Sequence, residues 1–290
     1  MSASATAGDV RFADVAFGGR SVRIEYAWLG HERGDRPLVV FLHEGLGSVS
    51  MWKAFPRALC DRGGLRGLVY SRPGYGKSTP RAPHERWGTD FMHRQADELL
   101  PRLFEAIGVD ARDERPWLFG HSDGGSIALL YAARFPGVCA GVVAVAPHIF
   151  VERVSLESIE AARRAYLATD LRQRLARHHD DPDSAFHGWN DAWLDPAFRA
   201  WNIEEDVSRI ECAVLAVQGC DDEYGTLEQV RGIARRLPAT RLVEIPACGH
   251  SPHRDQPERL IEETLRFIAH NDARARPAGA GRGQRAAQDA

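Results

Sequence analysis

Leu118-Phe119-Gly120-His121-Ser122-Asp123-Gly124-Gly125-Ser126 places one serine among three glycines. An apolar stretch, "PWLF", precedes it and "GGSIALLYAARF" follows, so the segment reads as a sharp turn from a strand into a helix. Such a turn forces its central residue into strained backbone geometry. Gly120 and Gly124 relieve the crowding because they lack a Cβ. The turn then lifts the Ser122 hydroxyl into a cleft, with a helix N-terminus behind it that favours developing negative charge. The alternative reading is a serine that merely caps a helix.

Similar runs lie on both sides. "PLVVFLHE", "RGLVYS", "VCAGVVAVAP", "CAVLAVQG" and "TRLVEIPA" are apolar almost throughout, as suits parallel strands buried on both faces. Two further strands are expected near residues 10–17 and 22–28, joined by a turn at "GGR". Amphipathic stretches alternate with the strands, and helices are expected over 51–60, 90–107, 124–135, 226–237 and 257–268. This alternation predicts an α/β fold: a mostly parallel eight-stranded sheet with helices on both faces. Residues 150–210 break the rhythm with helical signals and no strand, so an inserted helical cap is expected there. The chain thus divides into a first core part (1–149), the cap (150–210), a second core part (211–270) and a disordered tail (271–290) rich in Ala, Gly and Arg.

A serine needs a base, and the base needs an acid to orient it. Gly219-Cys220-Asp221-Asp222 follows the seventh strand and Gly249-His250 follows the eighth. Both fall at the strand ends that host chemistry in open α/β sheets. Asp222 is the expected acid, with Asp221 in reserve and Glu223 less suited. His250 is the expected base, ahead of His253, which reads as an ordinary loop histidine. His178 and His179, in a charged run, read as solvated. The oxyanion donors expected are the backbone N–H groups of Asp123 and of Gly45, the latter in "HEGLGS" with Leu46 in reserve.

This set of residues resembles the α/β-hydrolase superfamily from about residue 10 to residue 270. His43-Glu44-Gly45 looks like the family's oxyanion loop, with Glu44 where glycine is usual. Arg72-Pro73-Gly74-Tyr75-Gly76-Lys77-Ser78 looks like its loop after the fourth strand. The serine elbow, the Gly-x-x-Asp turn and the Gly-His with a downstream Pro257 complete five motifs in family order. The resemblance implies a cap between strands six and seven, and a serine hydrolase cleaving a carboxylic ester, lactone or thioester through an acyl-enzyme on Ser122. A carbon–carbon bond hydrolase of a ring-fission dienoate or β-diketone is the alternative. A non-catalytic small-ligand receptor on the same fold is a third reading.

The cap crowds Phe186, Trp189, Trp193, Phe198 and Trp201 into seventeen residues, 185–201. They serve either as the cap's own core or as an apolar wall for substrate. Trp189 and Trp193, with Leu46, His148 and Phe150, are the candidate substrate contacts. Arg163 and Arg174 read as solvated helix residues, recognition of a carboxylate being the alternative.

Other classes find little support. A net charge of −3 on 290 residues argues against nucleic acid or an anionic membrane as partner. No apolar run approaches the roughly 20 residues that span a bilayer. The start lacks a signal-peptide pattern, so a cytoplasmic protein acting on a small molecule is expected. "GYGKST" fails as a phosphate-binding loop, because Ser71 stands where that motif needs glycine. H-E-x-x-H is absent, and neither a metal nor a cofactor is expected. The five cysteines lack metal spacing and read as free thiols, a bridge between Cys220 and Cys248 being a minor alternative.

Overall fold

The computed structural model describes residues 8–82 and 84–275. Eight strands form one sheet: β1 (Val10–Phe17), β2 (Arg20–Leu29), β3 (Leu38–Leu42), β4 (Arg66–Tyr70), β5 (Trp117–His121), β6 (Gly141–Val145), β7 (Ala213–Gly219) and β8 (Arg241–Ile245). Their order is β1-β2-β4-β3-β5-β6-β7-β8. β1 and β2 pair antiparallel, as do β2 and β4, and every later pairing is parallel. The expected α/β architecture is therefore the observed one. The central strands β3 to β6 are buried along their whole length, which explains why their sequences are apolar rather than alternating. Two apolar clusters lie on the two faces of the sheet, and the cap's aromatic residues join the first of them.

Register places the chemistry. Leu42 pairs with Gly120, His121 with Val145 and Gly219 with Ile245. The C-terminal ends of β3, β5, β7 and β8 thus align at one edge, and each hands over to a loop there.

Helix boundaries differ from the sequence expectation in three places, each with a local cause. The helix expected over 51–60 is a 3₁₀ turn, Val49–Trp52, and then a helix, Phe55–Gly63, separated at Lys53 with φ 55°. Pro56 sits in the first turn of the second piece, where its missing N–H costs nothing. The helix over 90–107 widens into a π turn at Gln95–Leu99. Pro101 lies just beyond and cannot donate to the turn before it, so the ladder loosens there. The last helix runs Pro257–Ala275, five residues into the expected tail. Ala, Arg and Asn carry it on, and the next proline is Pro277. The remainder of the expected tail, 276–290, lies outside the described residues.

Between β6 and β7 the described chain forms helices Arg153–Ala168, Leu171–Leu175, Pro182–Leu194 and Glu204–Val207, with a 3₁₀ turn Pro196–Ala200. Asp181 caps Pro182–Leu194 by accepting the Ser184 N–H, and Pro182 occupies its first turn. Arg163 is not solvated as expected. It donates to Asn190 Oδ1 (2.7 Å) and Asp191 Oδ1 (2.9 Å), which ties the helix Arg153–Ala168 to Pro182–Leu194. Arg174 is exposed and pairs with Asp170 at 3.2 Å.

Candidate active site

Ser122 closes β5 with φ 53° and ψ −121°, and the helix Asp123–Arg134 begins at the next residue. A non-glycine residue at positive φ costs about 1–3 kcal/mol and persists only where its surroundings enforce it. Here the enforcement is steric and hydrogen-bonded. A Cβ on Gly120 would collide with the Gly124 backbone, and one on Gly124 with the Leu42 carbonyl. The Ser122 N–H donates to Val145 O at 2.9 Å. The hydroxyl is thus held at the sheet edge, on the far side of the chain from its own helix.

Ser122 Oγ lies 2.9 Å from His250 Nε2. His250 Nδ1 lies 2.8 and 3.0 Å from the two carboxylate oxygens of Asp222. Asp222 Oδ1 also accepts the Tyr224 N–H (2.8 Å) and the Gly225 N–H (3.2 Å), and Oδ2 accepts Gln218 Nε2–H (3.0 Å). Burial alone would raise the Asp222 pKa. The His250 hydrogen bond and charge, with the Tyr224 N–H, outweigh it and hold the carboxyl below its ordinary range. An ionised Asp222 only accepts, so His250 carries its proton on Nδ1 and presents a bare Nε2 to the serine. Asp221, the reserve acid, is exposed.

The backbone of His250 is pinned on both sides, by Glu223, named above only as a less suited acid, and by His121. Its N–H donates to Glu223 Oε2 at 3.0 Å, and its C=O accepts His121 Nε2–H at 2.7 Å. Gly249 N–H donates to Asp255 Oδ2 at 2.9 Å. The Tyr224 ring packs 4.7 Å from the His250 ring. His253 is not an ordinary loop histidine. It is 5% exposed and packs 4.7 Å from His121 and 5.1 Å from Trp52. Burial drives its pKa well down, and the charge of His121 adds to this.

The two expected oxyanion donors are tied together by Arg72. Asp123 opens its helix, so its N–H has no intrahelical acceptor. The wholly buried Arg72 donates through Nη2 to Glu44 O (2.8 Å) and sits 3.5 Å from Asp123 Oδ2, with its guanidinium 4.6 Å from the Tyr75 ring centre. His43 Nδ1–H donates to the same Glu44 carbonyl at 2.7 Å, while Nε2 accepts the Arg72 N–H at 3.0 Å. That carbonyl belongs to the Glu44–Gly45 peptide. These two donors and the Gly47 N–H, at 3.0 Å from the same oxygen, fix the opposite direction for the Gly45 N–H. The Glu44 side chain lies 3.6 Å from His121 Nδ1 and 3.4 Å from Arg254 Nη2. Burial opposes its ionisation, but the neighbouring His121 and Arg254 hold its carboxyl well below the ordinary range.

The cap closes over this edge. Trp189 and Trp193 lie four residues apart on one helix and face the core. A Cβ on Gly45 would strike the Trp189 indole, so glycine there makes room for the cap. Trp193 Nε1–H donates to Asp123 Oδ1 at 3.1 Å, and its ring stands 4.9 Å from His148 in a T arrangement. Burial lifts the Asp123 carboxyl above its usual range despite Arg72 and this N–H. Phe186, Phe198 and Trp201 instead form the cap's own core: Phe186 stacks on Tyr166 at 3.8 Å and Phe198 on Trp201 at 5.3 Å. Of the other candidate substrate contacts, His148 is buried 6.0 Å from the His250 ring, and burial, with the His250 charge, lowers its pKa to about 3. Phe150 bridges to Asn202 at the entry to the cap and is half-buried. Leu46 is half-buried in the oxyanion loop. Replacing Trp193 with Phe leaves Asp123 Oδ1 buried without its donor. The expected cost is about 1–3 kcal/mol in urea-induced unfolding.

His178 and His179 are corrections too. His179 is buried, accepting the Gly76 N–H at Nδ1 (2.9 Å) and donating from Nε2 to Leu46 O (2.9 Å). One cap residue thus ties the loop 72–78 to the oxyanion loop. His178 is half-buried, with Nδ1 2.8 Å from Ser50 Oγ. Burial pushes the His179 pKa down to about 4, below its unfolded value near 6.5. The unfolded chain therefore binds the extra proton first, and this part of the stability is lost as pH falls from about 6.5 towards 4. The melting temperature should drop over that window, and less so in His179→Gln, which keeps one donor and one acceptor without titrating.

In the loop after β4, Glu25 locks what looked like a nucleotide motif. Its Oε2 accepts Ser71 Oγ–H (2.7 Å) and the Lys77 N–H (2.8 Å), and Ser78 Oγ–H donates to Ser71 O (2.7 Å). Cys220 is exposed, Cys248 is buried, and both are free thiols.

Comparison with known proteins places this geometry among relatives. The chain is 23% identical to the 2-hydroxy-6-oxo-6-phenylhexa-2,4-dienoate hydrolase of Burkholderia cepacia over 269 residues, covering 83% of this chain and 90% of that one. It is 24% identical to a bifunctional esterase/perhydrolase of Acinetobacter calcoaceticus, covering 81% and 92%. Among solved structures, the enol-lactonase of Burkholderia xenovorans LB400 superposes with a TM-score of 0.66 at 20% identity, covering 88% and 99%. The model of the alpha/beta hydrolase family matches residues 39–263, which run from β3 into the last helix and include Ser122, Asp222 and His250. This chain belongs to the alpha/beta hydrolase family.

Proposed function

We propose that the protein is a serine hydrolase that cleaves a carboxylic ester, lactone or thioester of a small molecule, with Ser122, His250 and Asp222 as its catalytic triad. The observation that carries this reading is the unbroken hydrogen-bond chain from Ser122 Oγ through the His250 ring to Asp222, 2.9 and 2.8 Å long. Ser122 Oγ attacks the substrate carbonyl while His250 Nε2 takes its proton, and ionised Asp222 stabilises the imidazolium. The N–H groups of Gly45 and Asp123 receive the oxyanion, with Arg72 holding the frame of both. His250 then protonates the leaving oxygen or sulfur, and water activated by the same imidazole releases the acid. The apolar faces of Trp189 and Trp193 form the roof against which the acyl group packs. A small, uncharged acyl chain suits that roof.

A second reading, carbon–carbon bond hydrolysis of a dienoate, is supported by the likeness to the Burkholderia cepacia enzyme. One panel separates the two: p-nitrophenyl esters of graded chain length, lactones and acyl thioesters beside a vinylogous 1,5-diketone. Fast turnover of esters with none of the diketone supports the first reading. The reverse result replaces it with the second.

A further inference from the structure

Outside the cleft, a concavity of about 710 Å³ lies where the cap helix Leu171–Leu175 faces the core helix Phe55–Gly63 and the turn Pro252–Asp255. None of the triad residues lines it. Its floor is apolar: Trp52, Phe55, Leu171, Leu175 and Ile261. Its rim carries four cations, Lys53, Arg174, Arg177 and Arg254, against one carboxylate, Glu258, which is itself paired with Arg62. His253 also lines it. That imidazole is 5% exposed, and neither ring nitrogen has a hydrogen-bond partner among the described residues. A buried imidazole with an idle N–H normally finds an acceptor.

We propose that this groove is a second binding site, separate from the catalytic cleft, for a small amphipathic carboxylate: a flat aryl or short alkyl body with one anionic end. The body lies on Trp52 and Phe55, and the carboxylate meets Arg174 and Arg177 from the cap and Lys53 from the core. The His253 N–H supplies the donor that is now idle. Charge complementarity selects the anion, because Lys53 and Arg177 add to Arg174 and Arg254, whose pairs with Asp170 and Glu44 leave N–H groups to spare, while Glu258 is neutralised by Arg62. The apolar floor selects the rest, because a bare inorganic anion leaves it wet. The site also touches the catalytic machinery. His253 packs on His121, whose Nε2–H holds the His250 carbonyl, and Arg254 is shared with Glu44 of the oxyanion loop. An occupant is thus positioned to alter the loop and the histidine through side chains already in contact.

Calorimetric titration with 1-naphthoate tests this, with neutral 1-naphthamide as the control. It is run on the native protein and on protein fully phosphonylated by a fluorophosphonate. The expected result is one site with a Kd at or below about 1 mM, as a ligand of that size allows. Binding should survive phosphonylation with Kd moved by less than about tenfold, and be weakened about tenfold or more in Arg174→Ala/Arg177→Ala and for the amide. These two arginines are exposed on the cap, and Lys53→Ala provides an independent reading from the core side. Binding abolished by phosphonylation places naphthoate in the catalytic cleft and overturns the proposal. So does absence of saturable binding, or equal affinity for naphthamide and for both variants.

Discussion

Ser122→Ala should lower kcat/KM by about a million-fold on the best ester substrate while leaving the fold intact. The size follows from losing the only group that bonds to the acyl carbon. What survives is the rate that the oxyanion donors and substrate binding provide on their own. The fold should hold because alanine carries the same Cβ into the same strained backbone, φ 53°, that serine already tolerates. The one bond lost is the hydroxyl's to His250, and the melting temperature should move by no more than a few degrees. A variant that retains wild-type turnover removes Ser122 from the mechanism. One that unfolds says that the elbow depends on the hydroxyl, which the geometry gives no reason to expect.

Asp222→Asn should cost about ten-thousand-fold in kcat, with KM little changed. The shape is kept and the donor pattern inverts. The single amide oxygen is claimed by the N–H groups of Tyr224 and Gly225, now 2.8 and 3.2 Å from Oδ1. The amide NH₂ then takes the Oδ2 position, 3.0 Å from His250 Nδ1, and its donation there favours the tautomer with Nδ1 as acceptor and the proton on Nε2. An imidazole protonated on Nε2 cannot take a proton from Ser122. Asp221→Asn is the control. Its side chain is exposed, and its loss should leave kcat within about a factor of two. If instead Asp221→Asn abolishes activity and Asp222→Asn does not, the acid has been misassigned. Steady-state kinetics on the two variants side by side distinguish these outcomes.

Much of this site is written locally in the chain. Gly120 and Gly124 flank the serine because neighbouring backbone leaves no room for a Cβ, and that crowding is visible as a pattern of glycines. The order of Ser122, Asp222 and His250 along the chain follows the order of the strands that carry them, so a strand reading is enough to find them. What stayed hidden are contacts between distant segments. "LARHHDD" reads as a solvated run, yet His179 sits between two core loops more than a hundred residues earlier. Arg72 and Asp123 are read only as members of the segments 72–78 and 120–124, yet their side chains are among the most buried described, because each offsets the other's charge. Glu223 and Asp255 hold loop backbone by single hydrogen bonds that leave no periodic trace. Two signals were there to be used. Trp189 and Trp193 are four apart on a helix and must share a face, and Phe198 and Trp201 pack against Trp193 at 4.9 and 6.4 Å. Pro101 stands inside the helix expected over 90–107 and marks where it loosens.

The central claim is that one serine carries the acyl group. Stoichiometric reaction with a fluorophosphonate, followed by mass mapping and residual turnover on the same sample, tests it most directly. The phosphonyl increment should fall on the peptide containing Ser122, one per chain, with turnover lost in proportion to the increment. Full labelling of Ser122 in a protein that still turns over its ester would contradict the mechanism, as would inactivation with the increment on another residue.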